Sequence, residues 1–464
     1  MRRMSGISVS IVLVLGVSTG VWAEICAFDA GPAATLLFPY VVLDYNDPFT
    51  GLTTILTITN VVPSAQIVRV TLWTDLHEPI LDFNIVLSGY DQQAINIRDV
   101  LVYGQLPVTG TAAGLVVDGG VPSPMGPVSP QSPLADAGGT GTLVNRCSPS
   151  SPYYPGNYVT PIPANILALL QNWLQTSQTD PRTHSDCAGS YYPIGDWFET
   201  RTTAGPTWMY VTADVVESCG AVFPTDPSYW TDHVRYDNAL IGAVAWVDMN
   251  AGTADLANAV HLEADPGLAN WSELDPTGAP ASFYYRQSTH QGAPSDLREP
   301  LPTSWAVHYY ASAPLSTRIR AWKAPSWLND LETVNIGGVD HLAAWDCRAY
   351  TYYAWDESEN VVVGAGDPFN HFPLGTQEVS VDELMVPDTE GWILFQWPRD
   401  NTLYDMTHDF YQTWMGASTV ITGTMVMGAD AIPMGNSNCR NVMQQLVHWS
   451  SFEYGDLRGW HAMP

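Results

Sequence analysis

The chain has 464 residues, with 17 lysines and arginines against 47 aspartates and glutamates, and a formal net charge of −30 at pH 7. A chain this acidic repels phosphate backbones and anionic lipids, so we expect neither nucleic acid nor a membrane surface among its partners. Lys323 is the only lysine, and the sequence around it lacks the glycine-rich loop and the following serine or threonine of a P-loop.

Residues 1–23 have the pattern of a secretory signal peptide, with two arginines, an apolar run from Ile7 to Val17 and a cleavage point after Ala23. A membrane anchor is the alternative, but the run is shorter than the ~20 residues that a spanning helix needs. No later segment is long and apolar enough to span a bilayer. We therefore expect a secreted protein, periplasmic or extracellular, with no membrane span after cleavage.

Residues 24–107 are predicted to form one immunoglobulin-like β-sandwich. Between residues 52 and 97, apolar and polar side chains alternate in four runs that proline, glycine and aspartate separate. In the first run, Leu56 and Ile58 alternate with Thr57 and Thr59. Successive side chains of a strand point to opposite faces, so the pattern predicts an antiparallel sheet with one buried face.

Residues 108–206 are predicted to be a loop insertion with one helix. Glycine, proline and serine dominate up to residue 162, which disfavours strands. From Ala164 to Ser177, apolar residues recur at helical spacing, among them Leu167, Leu170 and Leu174. This helix is the only one that the sequence predicts.

Residues 207–464 are predicted to form a larger β-rich domain. Runs typical of strands return at residues 207–216, 240–247, 305–310, 317–322, 378–386, 391–397 and 413–427. The predicted fold class is therefore all-β, with an antiparallel β-sandwich, a larger β-rich domain, and one helix in the insertion that connects them.

The chain has six cysteines, and an even number in an exported protein predicts three disulfide bonds. We expect Cys147 to pair with Cys187, because they flank one irregular segment. The other four would pair among themselves, namely Cys26, Cys219, Cys347 and Cys439. A zinc site is the alternative, but no CxxC motif is present.

Several blocks of the sequence stand out, namely Leu36-Leu37-Phe38-Pro39-Tyr40 leading into the run 53–60, Leu72-Trp73-Thr74-Asp75, Leu81-Asp82-Phe83, Thr212 to Cys219, His261 to Pro266, and Arg298-Glu299-Pro300-Leu301. Together these blocks resemble a family of uncharacterised exported bacterial proteins. The resemblance spans most of the chain beyond residue 23. It implies export and a β-rich fold, and it carries no activity, cofactor or binding residue with it.

Two short motifs are candidates for binding a cation. His261 and Glu263 would lie on one face of a strand, where they could hold a metal ion. A pair of strand-end side chains that are hydrogen-bonded to a turn is the alternative. Asp44-Tyr45-Asn46-Asp47 resembles half of a calcium loop, although the glycine and distal glutamate of an EF-hand are absent. No cofactor is predicted, and calcium is the one cation left open.

Aromatic residues give the strongest functional hint, because the chain has 18 tryptophans and 22 tyrosines. Flat rings beside Asp, Asn or Gln suit stacking against sugars. The densest group is predicted to bind a ligand and consists of Trp345, Tyr350, Tyr352, Tyr353 and Trp355. The alternative is that these rings fill a sandwich core, as large aromatic side chains commonly do.

The sequence therefore favours a secreted, non-catalytic protein with a structural or adhesive role, which binds glycans or other extracellular proteins. The one G-x-S-x-G sequence, Gly16 to Gly20, lies within the predicted signal peptide, so no nucleophile motif of this type is expected in the mature chain. The alternative is a carbohydrate-active hydrolase or lyase on a β-sandwich scaffold. Its carboxylate pair would come from Asp232, Asp237, Glu263 and Asp265.

Overall fold

A computed structural model describes residues 31–107 (except 76 and 78), 158–179, 183–185, 191–193, 206–220, 224, 229–264, 297–298, 301, 304–312, 315–323, 331–336, 339–344, 351–356, 358, 360–364, 375–384, 386–396, 413–421, 424–429 and 432–435. The signal peptide predicted at residues 1–23 lies outside this part of the chain. Strands dominate the described residues, and every strand pairing among them is antiparallel, which confirms the predicted all-β class.

Eleven of the strands lie between residues 35 and 262. They are β1 (Thr35–Leu43), β2 (Thr53–Asn60), β3 (Gln66–Thr74), β4 (Pro79–Leu87), β5 (Gln92–Asn96), β6 (Thr183–Ser185), β7 (Tyr191–Pro193), β8 (Thr207–Val216), β9 (Leu240–Asp248), β10 (Thr253–Asn258) and β11 (Val260–Leu262). Nine of them form two packed sheets, which we call the first sandwich. One sheet has the order β11-β1-β8-β3-β4 and the other β10-β9-β2-β5, while β6 and β7 form a separate hairpin.

The five-stranded sheet of the first sandwich is covered on both faces. Leu36 and Phe38 belong to the core that it shares with the four-stranded sheet, where Leu56 and Trp246 also lie. Leu37 points the other way, into a second apolar cluster on the outer face. Because both faces are dry, all nine residues of β1 are buried.

The predicted boundary at residue 207 does not separate the two sandwiches. Strand β8 lies between β1 and β3, and β9 pairs with β2 along its length. Residues 207–262, which the sequence pattern assigns to the second domain, therefore complete the first sandwich. Alternation identifies strands but does not show which strands are neighbours.

The helix predicted in the insertion is confirmed as α2 (Ala164–Thr179), which follows a five-residue helix α1 (Ile97–Leu101). Leu170 and Leu174 of α2 enter the core of the first sandwich. The Gln171 side-chain amide donates a hydrogen bond of 2.7 Å to the Leu101 carbonyl oxygen, which ties the two helices together. No helix in the described ranges combines the length and hydropathy that crossing a bilayer requires.

The remaining strands lie between residues 304 and 435. They are β12 (Ser304–Ser312), β13 (Leu315–Lys323), β14 (Leu331–Ile336), β15 (Val339–Ala344), β16 (Thr351–Asp356), β17 (Val361–Gly364), β18 (Thr376–Ser380), β19 (Glu390–Gln396), β20 (Thr413–Ile421), β21 (Thr424–Ala429) and β22 (Ile432–Gly435). Strands β14 and β15 form a separate hairpin, and the other nine form one hydrogen-bonded sheet.

This nine-stranded sheet is folded into two halves, which we call the second sandwich. One half has the order β17-β16-β19-β12 with β22 beside β12, and the other contains β18, β13, β20 and β21. Only the pairs Ala311–Ser316 and Ser312–Leu315 join β12 to β13. Side chains of both halves, such as Val307, Phe395 and Ile319, share one core, so the halves pack face to face.

Arg320 of β13 connects the two sandwiches. Its guanidinium carbon lies 4.2 Å from the centre of the Trp246 ring and 5.0 Å from that of Tyr40, both in the first sandwich. The same guanidinium donates hydrogen bonds of 3.1 Å to Glu378 and 3.2 Å to Asp255. This side chain is almost fully buried, so its charge is balanced by two carboxylates and two aromatic faces.

Lowering the pH should weaken this contact between the two sandwiches, because Glu378 becomes protonated. Burial alone would raise the pKa of this carboxyl, but the guanidiniums of Arg320 and Arg318 outweigh burial and hold the pKa below its ordinary value. A carboxyl with a lower pKa in the folded chain stabilises the fold above its unfolded pKa. That stabilisation is lost as the pH falls through the folded value.

We therefore expect Glu378→Gln to lower the urea midpoint of unfolding at pH 7, and the difference from the wild type to shrink below about pH 4. Urea unfolding at both pH values, followed by tryptophan fluorescence, measures this. If the urea midpoints of the variant and the wild type differ equally at both pH values, the ion pair is not the source of the difference.

A second buried ion pair closes the outer face of the first sandwich. Arg298 and Asp214 are joined at 3.0 Å with both side chains fully buried. The Asp214 carboxylate also accepts hydrogen bonds from the hydroxyls of Thr35, at 2.6 Å, and Tyr229, at 2.7 Å. Because these donors come from distant parts of the chain, Asp214 fixes three segments against the sheet.

Cys219 is the one cysteine within the described ranges. It is buried in the apolar cluster on the outer face of the first sandwich. The predicted pair of Cys147 and Cys187, together with Cys26, Cys347 and Cys439, lies outside those ranges, so the connectivity stays a prediction.

Candidate functional site

One outward surface of the second sandwich collects aromatic side chains from three adjacent strands. It consists of Tyr353 and Trp355 on β16, Trp392 on β19, and His308 and Tyr310 on β12, and we call it the aromatic face. Each of these side chains is partly buried, whereas the residues between them, such as Ala354, Ile393 and Tyr309, are in the core. Strand alternation therefore builds the face.

The strand register sets these rings side by side. Trp355 lies opposite Trp392, and Trp392 lies opposite His308 on the next strand. Residues directly opposite each other in antiparallel strands have Cβ atoms about 5 Å apart, so the three rings form a row across the sheet. Along β16, the Tyr353 and Trp355 rings are nearly parallel, with centroids 5.9 Å apart and an angle of 21°.

At the β12 end of this row the rings meet edge-on. The His308 ring lies 5.0 Å from Trp392 and 4.8 Å from Tyr310, with interplanar angles of 69° and 77°. Its Nε2 atom is 3.7 Å from a carboxylate oxygen of Glu390. This end of the face therefore offers a ring edge, a hydroxyl, an imidazole and a carboxylate to one ligand.

A second carboxylate lies at the end of β16. Hydrogen bonds from Asn360 and Ser358 hold the pKa of Asp356 below its usual range, so this group is ionised at neutral pH. The same bonds, of 2.6 to 2.8 Å, close the turn between β16 and β17. The turn fixes the strand end that carries Trp355.

The sequence-based prediction named five aromatic residues for ligand binding. Tyr353 and Trp355 lie on the aromatic face. Tyr352 is 1% exposed and packs in the core beside Phe395, because it points to the opposite side of β16. Trp345 and Tyr350 lie outside the described ranges.

The sequence-based reasoning missed Trp392, His308 and Tyr310. Their strands were predicted from the runs 391–397 and 305–310, and alternation within those runs could have assigned each residue to a face. The position of both strands beside β16 had no signal in the sequence.

The predicted metal pair lies at the end of β11, and metal binding there stays a prediction. His261 is buried on β11, where its Nε2 atom accepts a hydrogen bond of 3.1 Å from the Gly242 amide. Strand β11 ends at Leu262, so Glu263 follows the strand and is half-buried. Within the part of the chain that the structure describes, no three His, Cys, Asp or Glu side chains are grouped as a metal site requires.

The half calcium loop at residues 44–47 is a hydrogen-bonded turn. One carboxylate oxygen of Asp44 accepts from the Asn46 amide at 2.8 Å. Both oxygens of Asp47 accept hydrogen bonds, from Thr50, Phe49 and Asn250. These bonds, above all those from Thr50, hold the pKa of Asp47 well below its ordinary value. The turn thus has its own hydrogen bonds, and calcium binding there stays a prediction.

Of the carboxylates that were considered for hydrolysis, those that the structure describes are not part of the aromatic face. Asp237 forms an ion pair of 2.7 Å with Arg235, and Asp232 is exposed on a short π-helix, Tyr229–His233. Burial raises the pKa of Asp82, as a general acid requires. That carboxyl is paired with Arg69 on the first sandwich, whereas the aromatic face belongs to the second. Asp265 lies outside the described ranges.

Comparison with protein-family models, with curated proteins and with solved structures finds no match for this chain. The functional assignment therefore depends on the chemistry of the aromatic face alone.

Proposed function

We propose that the chain is a secreted, non-catalytic β-rich protein with an adhesive or structural role, and that it binds glycans through the aromatic face. The observation that carries the proposal is the pair of near-parallel rings of Tyr353 and Trp355, which continues across the sheet to Trp392. A sugar ring has an apolar face that packs on an aromatic ring, and its hydroxyls need polar partners at the edge of that ring.

The polar groups of the aromatic face can form hydrogen bonds with the hydroxyls of a sugar. Glu390 and His308 lie at the β12 end of the row. Beside them, the partly exposed rings present a surface on a rigid sheet and not on a loop. Such a surface binds an extended chain at little entropic cost, because the protein does not need to reorganise.

Export is part of the same proposal. It is supported by the pattern of residues 1–23 and by the even number of cysteines, since disulfides persist in oxidising compartments. Mass spectrometry of the protein from its native host would then find a mature N-terminus after residue 23.

The test is a binding screen of the mature protein against immobilised polysaccharides, followed by titration calorimetry with the best ligand. We expect Trp355→Ala and Tyr353→Ala each to weaken binding by about tenfold or more, because truncating a central aromatic residue costs upwards of ~1.4 kcal/mol. Trp355→Phe keeps a ring and should retain most of the affinity.

Phe49→Ala is the matched control, since it removes an exposed aromatic ring from the first sandwich. If this variant loses as much affinity as Trp355→Ala, the aromatic face is not the site. Release of shorter saccharides during the incubation would instead support the carbohydrate-active hydrolase or lyase.

A further inference from the structure

Three large apolar side chains are exposed together at one end of the first sandwich. Phe49 is 72% exposed, Met249 62% and Tyr103 40%. They come from the β1–β2 connection, the β9–β10 turn and the segment after α1, and we call them the tip patch. The patch belongs to a different sandwich from the aromatic face.

The loop that carries Phe49 is held by its own hydrogen bonds. Asp47 accepts from the Phe49 amide at 3.1 Å and from the Thr50 amide at 2.9 Å, and its second oxygen accepts from the Thr50 hydroxyl. Gly51 closes the turn, because a Cβ atom there would lie 2.7 Å from the Asp47 carbonyl oxygen. The backbone around Phe49 is thus fixed although its ring is in water.

The other two segments are tied to the same loop. The Arg98 guanidinium of α1 donates to the Phe49 carbonyl at 2.8 Å and also to that of Gly51. The Tyr103 hydroxyl donates to the Pro48 carbonyl at 2.8 Å. The Met249 amide donates to the Thr50 carbonyl at 3.1 Å. Three separate segments therefore position three apolar side chains on one surface.

Rigid exposure of this kind favours binding. Three such side chains expose on the order of a few hundred Å², which is the size of the apolar patches that often mark interaction sites. A partner that covers them gains the apolar burial without an ordering cost in this loop. Bulky residues fixed in this way resemble the few central residues that dominate protein interfaces.

The charges around the patch indicate the partner. Each of the three segments carries a carboxylate, namely Asp44 and Asp47 beside Phe49, Asp99 in α1, and Asp248 before Met249. The cation among them, Arg98, is buried under the loop and bonded to carbonyl groups. We infer that the tip patch is a docking surface for a basic, apolar-containing polypeptide segment of another protein.

The same charges disfavour the other occupants. A second copy of this chain would bring four more carboxylates to an already acidic surface, with −30 on each chain. An anionic lipid surface would be repelled for the same reason. A peptide whose apolar side chains alternate with arginines satisfies both the apolar centre and the acidic rim.

The probe is a short fluorescein-labelled peptide of alternating arginine and leucine. Its control is the same peptide with glutamate in place of each arginine. Anisotropy is measured with the mature protein at about 0.15 M salt, where long-range attraction is screened. We expect the basic peptide alone to bind, Phe49→Ser and Met249→Ser each to weaken binding at least tenfold, and Asp99→Asn to weaken it several-fold.

Leu256→Ser is the matched control, because Leu256 is 75% exposed on β10 and lies outside the tip patch. Trp355→Ala serves as a second control on the other sandwich. The inference is overturned if Phe49→Ser binds the basic peptide like the wild type, or if Leu256→Ser weakens it equally. It is also overturned if the binding of neutral-lipid vesicles or of polysaccharide, or the self-association of the protein, depends on Phe49 while the binding of the basic peptide does not.

Discussion

Replacing Arg320 with methionine is expected to lower the free energy of unfolding by about 3–5 kcal/mol. The substitution leaves Asp255 and Glu378 without the guanidinium that joins them. It also removes the cation from the faces of Trp246 and Tyr40. Methionine fills part of the same volume, so the loss of stability comes more from the missing charge than from a cavity. Urea unfolding at pH 7 measures this loss of stability.

Arg318 provides the matched control, because it pairs with the same Glu378 at 2.9 Å while its side chain is 53% exposed. Exposed ion pairs contribute little, so Arg318→Met should cost about 1 kcal/mol or less. Since Arg320 joins the two sandwiches, we also expect the Arg320→Met variant to unfold in two steps. Equal destabilisation by the two substitutions would show that Arg320 has no special role at the contact.

Removing Arg298 is the second substitution with a large expected effect. Arg298→Met deprives the fully buried Asp214 carboxylate of its cation, which costs about 3–5 kcal/mol when one partner of a buried pair is lost. Adding Asp214→Asn should restore part of this, because the amide is neutral, its oxygen can still accept from one of the Thr35 and Tyr229 hydroxyls, and its NH2 group can donate to the oxygen of the other.

The comparison is a double-mutant cycle by urea unfolding, with Arg235→Met as the control for a partly exposed arginine that pairs with Asp237. The double variant should be more stable than Arg298→Met alone. If it is less stable, and the two single losses simply add, then Asp214 and Arg298 act independently and charge compensation is not the reason for the pair.

Local elements of this fold could be predicted from the sequence because local patterns determine them. Alternation places Leu56 and Ile58 on one side of β2 and Thr57 and Thr59 on the other, and the spacing of Leu170 and Leu174 identifies α2. The short helix α1 was missed, because five residues carry too little periodicity to be recognised.

The pairing of the strands and the buried charges could not be predicted. Trp355 and Trp392 are opposite each other only because β16 and β19 are neighbours, and a single sequence has no signal for that. Arg298 and Asp214 are 84 residues apart and look like ordinary surface residues by composition. Part of the candidate site was therefore visible as an aromatic cluster, and the rest depended on the register.

Strand β8 has a consequence for how the protein is made. It separates β1 from β3, and Thr35 meets Asp214 across 179 residues of chain. A ribosome needs on the order of ten seconds to add that many residues. During that interval the apolar edges of β1 and β3 have no native partner and can pair with another nascent chain. The cell therefore has to hold the unfinished chain apart from its neighbours until Val216 has been synthesised.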